Sequence, residues 1–273
     1  MPNKKRAIII PGSCSSRANW FDNIVFFEKH NYQADFIELE AFRYEDLDRA
    51  AIAIFDHISL ITRQGEKFIF LVHSMGAMLF LKILLDGELF SNRDPKTFEI
   101  IKSSTVVLIQ IPIQVKQRLL WNFRISFPFI SVGMFLHRPL ISSWLSPLLI
   151  YCKKLEHKYC QFALLNLALN VLLMHSSFWG TRVKEYINLI KYYEHWDAYS
   201  LSYFFLKKIN EASEFSNLIF TTGNLDMFNS REHINEIAAK LNAKTIDFPW
   251  SFHNPHHFFW TQKPFHDYIA TVL

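Results

Sequence analysis

Residues 67–72, KFIFLV, form a short apolar run with no alternation of polar positions. A strand of that kind has no face to offer water, so both of its faces must be covered. Any sheet that contains it therefore needs helices on each side. Five further segments read as strands: 6–10 (RAIII), 34–39 (ADFIEL), 104–111 (STVVLIQI), 218–222 (LIFTT) and 244–248 (KTIDF), several of them closed by Pro or Gly. Helical stretches are expected at 20–30, 45–62, 77–85, 230–241 and 264–272, with Ser230 ahead of Glu232 as a hydroxyl cap carrying acidic charge into the first turn. Strands alternating with helices predict an α/β fold, a mostly parallel six-stranded sheet wound on both faces.

The alternation stops between 112 and 203. That stretch lacks strand patterns and carries helical periodicity instead, as in 160–175 (CQFALLNLALNVLLMH), with Pro128, Pro139 and Pro147 dividing its first half. It reads as a helical cap (lid) inserted into a core made of 1–111 and 204–273. The chain's formal charge is +4, yet 112–203 holds ten Lys and Arg against four Asp and Glu, a surplus of six that leaves −2 elsewhere. Basic side chains scattered among Leu, Phe and Trp suit an acidic lipid surface better than nucleic acid, and no nucleic-acid motif occurs.

Cys14, Cys152 and Cys160 show neither metal nor redox spacing; a reducing, cytoplasmic setting is expected, with peripheral contact at a membrane through the cap. The start, MPNKKRAIIIPG, is too short in apolar residues before Pro11 to read as a signal peptide. No run reaches the roughly 18 apolar residues of a spanning helix. The twelve histidines come with no acidic cluster suited to a metal, so neither metal nor cofactor is expected. Oligomeric state is not readable.

Open α/β sheets place their chemistry beyond the carboxyl ends of the strands. Here those ends read PGSC (11–14), HSMG (73–76), TGNLD (222–226) and PWSFHNPHH (249–257). Ser, Asp and His thus follow one another at three strand ends, with a glycine turn at a fourth. Ser74 stands where a buried strand meets a helix, either as punctuation or as a nucleophile.

These segments resemble the α/β-hydrolase superfamily, in its serine-nucleophile, lidded esterase or lipase-like branch. That family carries G-x-S-x-G on a sharp strand-to-helix turn, with its partners in the order Ser, Asp, His. Val72-His73-Ser74-Met75-Gly76 is similar to that turn, with Val72 where the family has a small residue. Gly223-Asn224-Leu225-Asp226 resembles the family's acid loop, and His253-Asn254-Pro255-His256 its late histidine segment, leading into a last helix at 262–273. The likeness covers roughly 5–111 and 215–273; the cap matches in position only.

The resemblance implies Ser74 as nucleophile, His253 as base and Asp226 as the acid that orients it. His256 and His257 are alternatives for the base, and Asp247 is the rival acid. The backbone N–H groups of Ser13 and Met75 would form the oxyanion hole, with His73 a structural neighbour pointing away. A serine hydroxyl needs such an imidazole to take its proton, and the carboxylate fixes the tautomer. Trp121, Phe123, Phe127, Phe129 and Trp144 in the cap suggest a lipophilic small-molecule substrate with an acyl chain. The expected activity is hydrolysis of a carboxylic ester; thioesterase, acyltransferase and carbon–carbon bond hydrolase share the same triad. A non-catalytic ligand binder is the alternative from another class.

Overall fold

The computed structural model describes residues 5–12, 15, 17–39, 47–62, 66–111, 205, 207–210, 215–223, 231–248, 251 and 259–273. The expected cap at 112–203, Ser13, Asp226, His253, His256, His257, the three cysteines and the Ser230 cap lie outside these residues.

Among the described residues six strands occur: β1 Lys5–Ile10, β2 Tyr32–Phe36, β3 Lys67–His73, β4 Thr105–Ile109, β5 Leu218–Thr222 and β6 Lys244–Asp247. They form one sheet in the order β2-β1-β3-β4-β5-β6, and every neighbouring pair is parallel. The chain leaves β1 for the sheet edge, then returns to place β3 on the other side of β1. The crevice between β1 and β3 is thus the point where strand order reverses, the position at which such sheets bind ligands.

Helices cover both faces, as the unbroken apolarity of β3 demanded. Phe68, Phe70 and Val72 enter one core layer with Ile8, Ile10 and Leu108, whereas Ile69 and Leu71 enter the other with Ala7, Ile9 and Val107. The period-2 alternation of a strand sorts them in this way. Against the first layer pack α2 Leu47–Ile61, α3 Met75–Leu85, α4 Gly87–Arg93, α5 Pro95–Ser103 and α6 Arg231–Lys240, through Ile54, Phe55, Leu79, Phe90, Phe98 and Ile237. Against the second pack α1 Phe21–Lys29 and α7 Phe259–Val272, through Ile24, Phe27, Phe265 and Ile269. Each of these fully buried side chains contributes about 1.5–3 kcal/mol of transfer free energy. Helix α3 is buried along nearly its whole circumference, which explains why its sequence shows little helical amphipathicity.

Several boundaries differ from the sequence expectation. The second strand begins at Tyr32 rather than 34 and ends at Phe36 rather than 39. It pairs with β1 from Lys5 opposite Tyr32 to Ile9 opposite Phe36. Beyond it, Ile37 donates its N–H to Ile9 O at 2.9 Å, and Ile37 and Leu39 drop into the first core layer. Two helices, α4 and α5, were not expected at all. They are short, but α5 has a readable start: the Asp94 carboxylate accepts the N–H groups of Lys96 and Thr97 at 3.1 and 3.2 Å, and Pro95 occupies the first turn. The last helix begins at Phe259, ahead of Pro264. No described helix is long and apolar enough to cross a membrane.

Candidate active site at the strand ends

Ser74 joins β3 to α3 with φ 50° and ψ −119°, a positive φ that residues with a side chain rarely adopt. Its N–H donates to Ile109 O across the sheet at 3.0 Å, and its carbonyl accepts the N–H of Met78 at 3.1 Å. The strained residue is therefore gripped on both sides, by the neighbouring strand and by the first turn of its own helix. Such strain persists only where the surroundings over-determine it. The side chain is half-buried.

Two glycines make this turn feasible. A Cβ on Gly76 would press on Pro11 O and lie 2.8 Å from Ile10 O, so α3 starts directly against the backbone at the end of β1. A Cβ on Gly12 would lie 2.8 Å from both Ser74 Cβ and His73 Nδ1. The loop after β1 thus reaches the serine at the reversal point of the sheet, and Ser13, the expected oxyanion donor, follows Gly12 directly. Met75, the other expected donor, opens α3; its N–H belongs to the first-turn donors that a helix does not bond internally. Val72, the departure from the small-residue pattern, is completely buried between Ile10 and Leu108. The crowding of the turn falls on Gly76, so a β-branched residue fits at 72.

His73 behaves as expected. It is 5% exposed and meets the Trp20 ring edge-on with centroids 6.1 Å apart, on the sheet face covered by α1 and α7. Asp247, the rival acid, ends β6, where it accepts the Thr222 hydroxyl at 3.1 Å and pairs with Arg231 at 3.1 Å. That carboxylate is committed to tying β5, β6 and α6 together. Among the described residues no group of His, Cys, Asp and Glu is arranged to hold a metal.

Gln110 and Ser251, neither of them singled out in the sequence, sit at the far end of the same edge. Gln110 follows β4 with φ 46° and is fully buried; its N–H donates to Thr221 Oγ1 and its Nε2 to Ser251 Oγ, each at 3.2 Å. A Cβ on Gly223 would lie 2.6 Å from Ser251 O and 2.7 Å from Gln110 Nε2. The loops leaving β5 and β6 therefore touch. Their sequence signal was a glutamine ending an apolar strand and a small polar residue ahead of the histidine segment.

β5 lies two strands from β3, about 10 Å away.

No protein-family model matches the chain, and no curated protein matches it by sequence. Solved structures do resemble it. An N-formylmaleamic acid deformylase from Pseudomonas putida S16 superposes with a TM-score of 0.59 at 11% identity, over 98% of this chain and 92% of its own. An E-2-(acetamidomethylene)succinate hydrolase gives 0.59 at 9%, over 98% and 91%. A soluble variant of the monoglyceride lipase from Saccharomyces cerevisiae, bound to a substrate analogue, gives 0.57 at 11%, over 99% and 86%. At such identities the likeness concerns the fold.

Proposed function

Starting from the premise that this chain has the α/β-hydrolase fold, we propose that it is a serine hydrolase acting on a carboxylic ester with a lipophilic acyl group. The observation that carries this reading is Ser74, held at positive φ between a buried strand and a helix at the reversal point of the sheet. A turn residue placed only for punctuation needs neither that strain nor two glycines packed around it.

In the proposed reaction Ser74 Oγ attacks the ester carbonyl while His253 takes its proton, and Asp226 holds the imidazole in the required tautomer. The oxyanion rests on the N–H groups of Ser13 and Met75, where each donor contributes about 3 kcal/mol to transition-state stabilisation. The C–O bond then breaks, the alcohol leaves with the proton from His253, and an acyl ester remains on Ser74. Water, deprotonated by His253, releases the carboxylic acid and restores the serine. The contact between Gly223 and Ser251 supports this assignment, because Asp226 and His253 follow those two residues closely in the sequence. The aromatic composition of 112–203 supports an apolar acyl group, and its basic surplus supports contact with an acidic lipid surface.

Labelling by a fluorophosphonate probe tests the reading. A single adduct on Ser74, absent from Ser74→Ala, is expected, followed by turnover of esters of graded chain length. A folded protein that takes no adduct would instead point to a ligand binder. Thioester substrates belong in the same panel, since the triad serves both.

A further inference from the structure

We propose that Gln110 and Ser251 form a clasp that sets the position of the histidine-bearing segment, making Gln110 a positioning residue for His253. The consequence for catalysis rests on the reading above; the clasp itself does not.

Four observations converge on it. Among the described residues, four other than glycine have positive φ: Asn31, Ser74, Gln110 and Asn242. The two asparagines leave helices, where that conformation is ordinary for Asn. The other two stand at the ends of adjacent strands, and the carbonyl of Ile109, immediately before Gln110, accepts the N–H of Ser74. Gln110 is thus strained in the same place as the nucleophile.

Second, its side chain is costly where it is. Gln110 is 0% exposed, and among the described residues its Oε1 has no hydrogen-bond partner. A buried acceptor left alone destabilises a fold, and an apolar side chain of the same shape would avoid that cost. Packing therefore does not account for glutamine at this site.

Third, among the described residues the one bond that its amide makes goes to Ser251, 141 positions away and two short of His253. Fourth, Ser251 is also held through its backbone. Its N–H donates to Phe248 O at 3.0 Å, Phe248 N–H donates to Thr222 O at 2.9 Å, and Gly223 leaves just enough room for its backbone. The chain from β6 is pinned at Ser251 against the ends of β4 and β5, and the next residues leave from that fixed point. A base displaced by about 1 Å can lose on the order of a hundredfold in rate.

The test compares the wild-type chain with Gln110→Met, Ser251→Ala and the double variant. Methionine is unbranched like glutamine, so it meets the same backbone strain while removing the lone acceptor. Hydrogen exchange of the peptide 249–258 should quicken roughly tenfold in each variant, with β1 and β3 peptides unchanged. The melting temperature of Gln110→Met should equal or exceed that of wild type. The limiting rate of fluorophosphonate labelling at Ser74 should fall about ten- to a hundredfold, with probe affinity within twofold, and the double variant should be no slower than the slower single one.

Unchanged exchange in Ser251→Ala would overturn the clasp, and so would a labelling loss that simply follows a lowered melting temperature. Additive losses in the double variant would also overturn it. If the wild type takes no adduct at Ser74, the hydrolase reading fails, and the exchange measurement still decides the clasp.

Discussion

The two ends of the strand-tip edge are built by different means. At β1 and β3 the tightest contacts are on backbone, Gly76 against Pro11 O and Ile10 O, while Gly12 lies against the Ser74 and His73 side chains. At β4, β5 and β6 a backbone contact, Gly223 against Ser251 O, is joined by side-chain bonds, Gln110 to Ser251 and Gln110 N–H to the Thr221 hydroxyl. Backbone contacts cannot relax by changing rotamer, whereas side-chain contacts can shift by a few tenths of an ångström. The first construction suits an atom that must be placed tightly whatever else moves. The second suits a loop whose position is adjusted by polar bonds and is correspondingly open to mutation. Both ends share one expense, a strained residue other than glycine at the tip of the strand.

The comparison can be broken most sharply at the serine. Ser74→Ala should reduce ester turnover by at least about 10⁴-fold and leave the urea midpoint nearly unchanged. Turnover surviving that change would move the chemistry away from the β3 tip altogether. Next in size is the same substitution made at each end. Gly76→Ala should destabilise the fold by about 3 kcal/mol in urea titration, since its new methyl meets carbonyl oxygens of the backbone. Gly223→Ala should cost about 1–2 kcal/mol, because part of what it meets is the end of the Gln110 side chain. Equal losses would mean that the two ends are equally rigid.

Thr221→Val sharpens the picture of the side-chain end alone. It removes the acceptor of the buried Gln110 N–H, and a loss of about 1–2 kcal/mol is expected by chemical denaturation, with Ser74 labelled at close to the wild-type rate. A helix remote from both ends supplies the smallest effect. Asp94 caps α5, and the Ser59 hydroxyl first, then the Thr97 hydroxyl and the N–H groups of Thr97 and Lys96, hold its pKa below the ordinary 3.8. Asp94→Ala should cost about 1 kcal/mol near neutral pH without touching labelling. Because the folded-state pKa is depressed, that gap is fully present above about pH 4 and shrinks as pH falls through the folded value. A gap that stays constant down to pH 2 would assign the effect to packing instead.

Much of this was legible in the chain itself. The unbroken apolarity of KFIFLV called for a sheet covered on both faces, and β3 divides its side chains between two core layers. The serine was conspicuous because a buried strand and a buried helix meet at it, and Gly76 beside it was conspicuous for the same reason. Gly12, within the Pro11-Gly12-Ser13 turn expected to serve the oxyanion, lies against Ser74. Two helices went unread, since α4 and α5 are short and only the Asp94-Pro95 pair announces the second. Asp226, His253 and Ser13 stand as proposals on their sequence positions, supported by the loops that lead to them.

What the sequence determined by itself was local: which segments extend, which coil, and where a serine could be forced into an exposed turn. Side-chain periodicity and turn chemistry act within a few residues, so they can be read in order along the chain. Tertiary structure alone decided the rest. It ended β2 at Phe36, where the chain turns so that Ile37 and Leu39 enter the first core layer. It also joined Gln110 to Ser251, since a bond between residues 141 positions apart depends on which strands become neighbours, and no local preference records that.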